Sequence, residues 1–160
     1  MFKVDIEKAY DSVDWIYLDD VMGKMSFPTL WRKWMKECVT AAFAAVLVNG
    51  SPTEEFSMER GLHQGDPLSP FLFLLAAEGF HVMMDYLINN NIFSGYKADR
   101  LGNFSISHLQ FANDTLILGE KIWADVWAMR VVLHIFAAMH GLKVNFHKSE
   151  LVGVNVNRSW

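Results

Sequence analysis

LQFANDTLIL, residues 109–118, is the stretch whose reading decides the fold. Apolar and polar residues alternate on either side of Asn113-Asp114, the pattern of two short strands meeting at a tight turn. Asp114 is then a carboxylate at the tip of a hairpin. A second alternation opens the chain. In FKVDI, Phe2, Val4 and Ile6 share one face, and Lys3 and Asp5 share the other. Asp5 is thus a carboxylate on the second face of a half-buried strand. Two-metal phosphoryl transfer needs acidic oxygens that converge from separate rigid elements. By residue type alone, solvated turn residues are the commoner reading of both.

Between these strands the chain alternates helices and strand pairs. Asp11 or Ser12 is placed to cap a helix in which Trp15, Leu18, Met22 and Met25 recur at helical spacing. Pro28 suits the first turn of the next helix, whose apolar stripe is Leu30, Trp31, Trp34, Met35 and Cys38. Asn49-Gly50 marks a hairpin joining residues 43–48 to 55–58. GLHQGDPLSP is a rigid loop, followed by a long apolar helix over about 69–87 that ends at the asparagine run 89–91. The second hairpin covers 104–112 and 115–119. An amphipathic helix over about 124–139 stops at Gly141, a good C-cap, and LKVNFHKSELVGV closes the chain with two short strands. The class is α+β, one domain over 1–160.

Hydrophobic residues make up 52% and charged residues 20%, which excludes a disordered chain. The formal net charge of -4 is not that of a basic nucleic-acid binder, although acidic metal sites lower it too. Arg32, Lys33 and Lys36 are expected to be a solvated helix face. Cys38 is the only cysteine, so no internal disulfide forms, and its place in a helical stripe makes it a core residue. There is no charged leader before an apolar segment, and the longest apolar run, 71–77, is too short to span a bilayer. The expectation is an intracellular protein, nuclear or cytoplasmic, without a membrane partner. The six histidines fit no zinc spacing, and no Gly-x-Ser-x-Gly elbow supports a hydrolase.

FKVDIEKAYD, GLHQGDPLSP, LQFANDTLIL and GLKVNFHKSELVGV occur in that order and cover nearly the whole chain. Together they resemble the four motifs of the reverse transcriptase of plant LINE-type (non-LTR) retrotransposons. The resemblance implies a polymerase palm, an antiparallel sheet backed by helices, without fingers or thumb. It implies an RNA template, a DNA primer and dNTP as partners, and Mg²⁺ (or Mn²⁺) as cofactor. Asp5 matches the metal-binding carboxylate of the first motif. Ile6 matches a position whose backbone lies near the triphosphate, and Tyr10 the bulky residue that excludes a 2′-hydroxyl. Gln64 and Gly65 match the turn that packs on incoming nucleotide and template. Lys148 matches the fourth-motif lysine, with Lys143 as the rival.

The chain departs from the family at one catalytic position. The family's third motif reads FADD, with the first Asp on the metal; here that residue is Asn113, followed by Asp114. An amide oxygen can touch Mg²⁺ but carries no net charge. The side chains of Asn113 and Asp114 are expected to diverge, as neighbours on extended backbone do. The chain also begins about where the first motif begins, so fingers, thumb and endonuclease are expected to be missing, leaving Trp123 and Trp127 uncovered. The leading expectation is a palm fragment with little or no polymerase activity. The rivals are a non-catalytic module binding RNA or protein, and a retrotransposon remnant without function.

Overall fold

A computed structural model describes residues 1–41, 43–99, 104–111 and 113–153. The opening alternation becomes β1 (Phe2–Val4) and β2 (Ile6–Glu7), with Asp5 as the joint between them. Helices α1 (Trp15–Lys24) and α2 (Thr29–Thr40) follow. Next come β3 (Phe43–Ala44), β4 (Leu47–Val48), β5 (Ser51–Pro52) and β6 (Phe56–Ser57), with the β4–β5 pair nested inside β3–β6. The long helix α3 (Ser69–Asn89) leads to β7 (Tyr96–Lys97), β8 (Ser105–Ile106), β9 (His108–Phe111) and β10 (Asp114–Ile117). Helix α4 (Trp123–His140), β11 (Lys143–Val144) and β12 (Glu150–Leu151) complete the described chain. Ala112 and Val154, expected at strand ends, lie outside the described residues.

The central sheet has the order β12-β1-β10-β9, antiparallel throughout. Its first strand lies between the last strand and the 108–117 hairpin, so the sheet is closed by contacts distant in sequence. One face packs on α3 and α4. Val4, Ile6 and Thr115 from the strands meet Phe80, Leu133 and Phe136 from the helices around a small cavity. Phe80 and Phe136 cross edge to face at 5.3 Å. Phe73, Met84 and Ile117 are wholly buried, and each such side chain contributes about 1.5–3 kcal/mol. By length and composition α3 is apolar enough to cross a membrane. The same composition serves a core helix, and eight of its residues are buried here.

Helix α1 lies across α3, with Leu18 and Met22 buried and the Tyr17 hydroxyl donating to the Ala76 carbonyl at 2.8 Å. Burial, and then the nearby Glu78 carboxylate, push that phenol's pKa up. Arg32 joins α2 to α1 by donating from Nε to Asp19 Oδ1 at 2.8 Å and from Nη2 to Asp19 Oδ2. This hydrogen bonding holds the Asp19 carboxyl below its ordinary range. Buried Asp125, in the first turn of α4, accepts the backbone N–H groups of Ser94 and Glu120 at 3.0 and 2.9 Å. Its carboxylate therefore ties two loops to that helix end.

Several expectations need correction. Asp14, not Asp11 or Ser12, caps α1: its Oδ1 accepts from the N–H groups of Ile16 and Tyr17. Residues 8–12 are instead committed to a turn, with the Ser12 N–H on the Lys8 carbonyl. Pro28 is the N-cap of α2 rather than a residue of its first turn. Cys38 is exposed, and α2 has no buried residue; only Trp31, Met35 and Val39 of its apolar side pack at the core edge. The Asn49-Gly50 turn forms as expected, both residues with positive φ, but its strands divide into two short pairs. Residues 105–106, expected within the 104–112 strand, instead pair with β7, which was not expected because 96–97 is too short to show a period.

Replacing Asp14 with Ala should lower stability by about 1 kcal/mol. Asp11→Ala should change it by less than about 0.5 kcal/mol. Urea unfolding followed by tryptophan fluorescence separates the two; equal effects would count against the Asp14 cap.

Candidate active site at the β1–β10 junction

β1 and β10 pair with Phe2 opposite Ile117, Lys3 opposite Leu116 and Val4 opposite Thr115. One step beyond the last pair stand Asp5 and Asp114. Val4, Ile6 and Thr115 line one cavity on the helix side. Alternation therefore turns the residues beside them, Asp5 and Asp114, to the opposite, open face. Asp5 is half-buried and Asp114 exposed. Neighbouring strands thus present two carboxylates in the same direction.

Asn113 occupies the turn that precedes Asp114 and is half-buried. The ladder closes with Asp114 opposite Phe111. Asp114 therefore opens a strand, where the sequence suggested that it would end the turn. The ladder, rather than the Asn-Asp turn propensity, sets this register.

The fourth motif meets the first at Asp5. The N–H of Asn145 donates to the Asp5 carbonyl at 2.8 Å, and the N–H of Asp5 donates to Ser149 Oγ at 3.0 Å. Lys148 is exposed in this 145–149 turn, next to Ser149. Lys143 instead lies on β11, paired opposite Glu7. Ile6 is buried in the core, its backbone paired with Val144.

Tyr10 is half-buried and stacks on Phe73, ring centroids 4.8 Å apart. Its carbonyl accepts the Leu62 N–H at 2.8 Å, and Trp15 Nε1 donates to the Gly61 carbonyl at 2.7 Å. Gly61 has φ +91°, and a Cβ there would stand 2.8 Å from the Asp11 carbonyl oxygen. Farther along, Ser69 Oγ donates to the His63 carbonyl at 2.6 Å and Asp66 Oδ1 accepts the Leu68 N–H at 2.7 Å. The loop is therefore braced at both ends, and Gln64 and Gly65 are exposed between them. Sequence reasoning missed Asn145 and Ser149. An Asx turn was a readable signal in NFHKS, but its docking on Asp5 was not.

Among the described residues, no three His, Cys, Asp or Glu side chains gather closely enough to hold a metal by themselves. Two carboxylates on one face, completed by water or phosphate oxygens, fit one divalent cation.

The hairpin is anchored from behind by His108 on β9. Its ring meets Phe80 edge to face at 5.5 Å, and its Nε2 lies 3.1 Å from Nδ1 of His81 on α3. Ser107 Oγ is 2.9 Å from its Nδ1, and His81 Nε2 is 3.3 Å from Asp85. Burial, then the neighbouring His81, lower the His108 pKa from its ordinary 6.5; Asp85 and Glu78 oppose them.

The antiparallel sheet backed by helices is a polymerase palm-like fold. The reverse transcriptase (RNA-dependent DNA polymerase) family matches residues 1–157, and the chain belongs to that family. Several of its relatives are named as Pol polyproteins of retrotransposable elements. It is 26% identical over 151 residues to the "Retrovirus-related Pol polyprotein from type-2 retrotransposable element R2DM" of Drosophila melanogaster, covering 94% of this chain and 13% of that protein. The chain spans 11–20% of the length of the retrotransposon relatives it matches. Its fold is similar to apo telomerase from Candida tropicalis, with TM-score 0.70 and 12% identity over 98% of this chain and 31% of that one. It is also similar to Candida albicans telomerase solved with a fragment of telomeric RNA, with TM-score 0.67 and 12% identity over 98% and 27%.

His108 makes the hairpin anchor sensitive to pH. Its folded pKa is depressed, so the unfolded chain takes up the proton first. The stability it contributes is present above 6.5 and is lost as pH falls through the lower folded value. The thermal midpoint should therefore drop between about pH 7.5 and 5 more steeply in the parent than in His108→Gln. Parallel melting curves for the two proteins would count against this role.

Proposed function

We propose that this chain is the palm of an RNA-directed DNA polymerase in which Asn113 has removed most of the catalytic metal binding. The observation that carries the reading is the common outward face of Asp5 and Asp114, with a neutral amide where the family has a carboxylate. RNA template, DNA primer and dNTP are the proposed partners. Membership of the family and the likeness to a telomerase solved with RNA support them.

In the reaction of this class, the primer 3′-oxygen bonds to the α-phosphorus of a dNTP as the α–β phosphoanhydride breaks. The hydroxyl proton is lost and pyrophosphate leaves. A bound divalent metal supplies positive charge that acidifies the hydroxyl and offsets the charge on the phosphates. Asp5 and Asp114 are the side chains that would hold it. Tyr10, fixed by its stack on Phe73, stands as the residue that excludes a 2′-hydroxyl. Gln64 and Gly65 present the tip of a braced loop to nucleotide and template, and the Ile6 backbone is the part of the first motif near the triphosphate. Lys148 offers its ammonium to the triphosphate; its turn touches Asp5, whereas Lys143 pairs opposite Glu7.

Asn113 sets the limit on this chemistry. Unit charges about 4 Å apart interact by about 4 kcal/mol at an effective dielectric of about 20. Each 1.4 kcal/mol or so is tenfold, so losing one carboxylate is worth orders of magnitude in metal occupancy or rate.

Mn²⁺ titration followed by electron paramagnetic resonance tests the reading on the parent and on Asn113→Asp. The variant should bind at least about tenfold more tightly. Equal affinities would sink the lost-carboxylate argument. The purified parent should show no Mg²⁺-dependent primer extension; processive extension would overturn the proposed inactivity.

A further inference from the structure

Asp5 sits at a gap in the ladders. The pairing of β1 with β10 ends at Val4, and the pairing of β2 with β11 begins at Ile6. A half-buried N–H or C=O left without a partner destabilises the fold. Both groups of Asp5 are taken up by the 145–149 turn, the N–H by Ser149 Oγ and the C=O by the Asn145 N–H.

This turn is held together by its own bonds. The Asn145 carbonyl accepts from the Ser149 N–H at 2.8 Å, and Asn145 Oδ1 accepts from the His147 and Lys148 amides at 3.1 and 3.2 Å. Ser149 Oγ also donates to the Asn145 carbonyl at 2.8 Å. A hydroxyl has one proton and two lone pairs. With the proton committed to Asn145, a lone pair is aimed at the Asp5 N–H. The turn therefore has its shape from its own bonds and imposes it on the Asp5 backbone.

From this geometry we infer that Ser149 is a positioning residue for the Asp5 carboxylate: its hydroxyl holds the first-motif backbone in the orientation that a metal requires. The inference rests on the proposed metal-binding role of Asp5. Metal ligands must be held within about 0.5 Å of their productive place. A strand joint free to rotate about its own φ and ψ would not meet that tolerance. The same turn carries Lys148, so one hydroxyl links the placing of the carboxylate to the placing of the lysine.

Thr and Val at position 149 have nearly the same shape and differ in the hydroxyl. Ser149→Thr and Ser149→Val are made in the Asn113→Asp background, with Ser149→Ala as a third variant and thermal midpoints recorded for all. Mn²⁺ affinity and hydrogen exchange of the Asp5 amide are then measured. Ser149→Thr should keep affinity within about twofold, while Ser149→Val and Ser149→Ala weaken it about tenfold. Asp5 amide exchange should quicken only where the hydroxyl is gone. Unchanged affinity in the Val and Ala variants would overturn the proposal, as would an Asp5 amide that exchanges equally fast in all. If Asn113→Asp does not bind Mn²⁺, the metal reading fails. An Asp5 amide released only without the hydroxyl would then show a clamp that serves the fold alone, and the positioning role would be overturned.

Discussion

The pairing of β1 with β10 is the constraint on which the molecule depends. It joins residues 2–4 to residues 115–117, so almost the whole chain must be looped before the ladder closes. Such closure is entropically costly and comes late relative to local helices. What offsets it is the inner face: Val4, Thr115 and Ile117 become buried only when that register is met and α3 and α4 cover them. A one-residue slip of β1 would exchange the faces of that strand, turning Asp5 onto the core and exposing Val4. The burial that stabilises the sheet therefore also aims the carboxylates outward.

The same face separates what the backbone requires from what charge requires. The scaffold of the polymerase is intact where backbone geometry matters: the braced 61–69 loop, the Tyr10–Phe73 stack, the hairpin and the 145–149 turn. Position 113, in the turn of that hairpin, carries the neutral Asn113. Asparagine suits a tight turn at least as well as aspartate. Asn113 therefore keeps the hairpin folded while carrying no net charge.

Much of the molecule was legible because it depends on local pattern. Trp15, Leu18 and Met22 give α1 its period, Gly141 takes the left-handed conformation that ends α4, and Asn49-Gly50 forms its turn. The alternation in FKVDI and LQFANDTLIL placed the central strands. Local pattern failed where a distant partner decides. Cys38 has the spacing of a core residue, but no element covers that side of α2. The cap expected at Asp11 or Ser12 falls to Asp14, because residues 8–12 are held in a turn with the Ser12 N–H on the Lys8 carbonyl. Asp125, in an ordinary helical first turn, is buried because two loops bring their N–H groups to it.

By itself the sequence determined the family, the order of the motifs, the element types and the neutral residue at position 113. These are properties of residue identity and short-range period, which survive without knowledge of neighbours. The tertiary structure alone decided which residues share a face, that Asp114 opens a strand rather than ending a turn, and that Ser149 and Asn145 hold Asp5. Those relations join positions up to 144 residues apart. They are set by ladder register and by backbone groups seeking partners, and a linear pattern does not carry either.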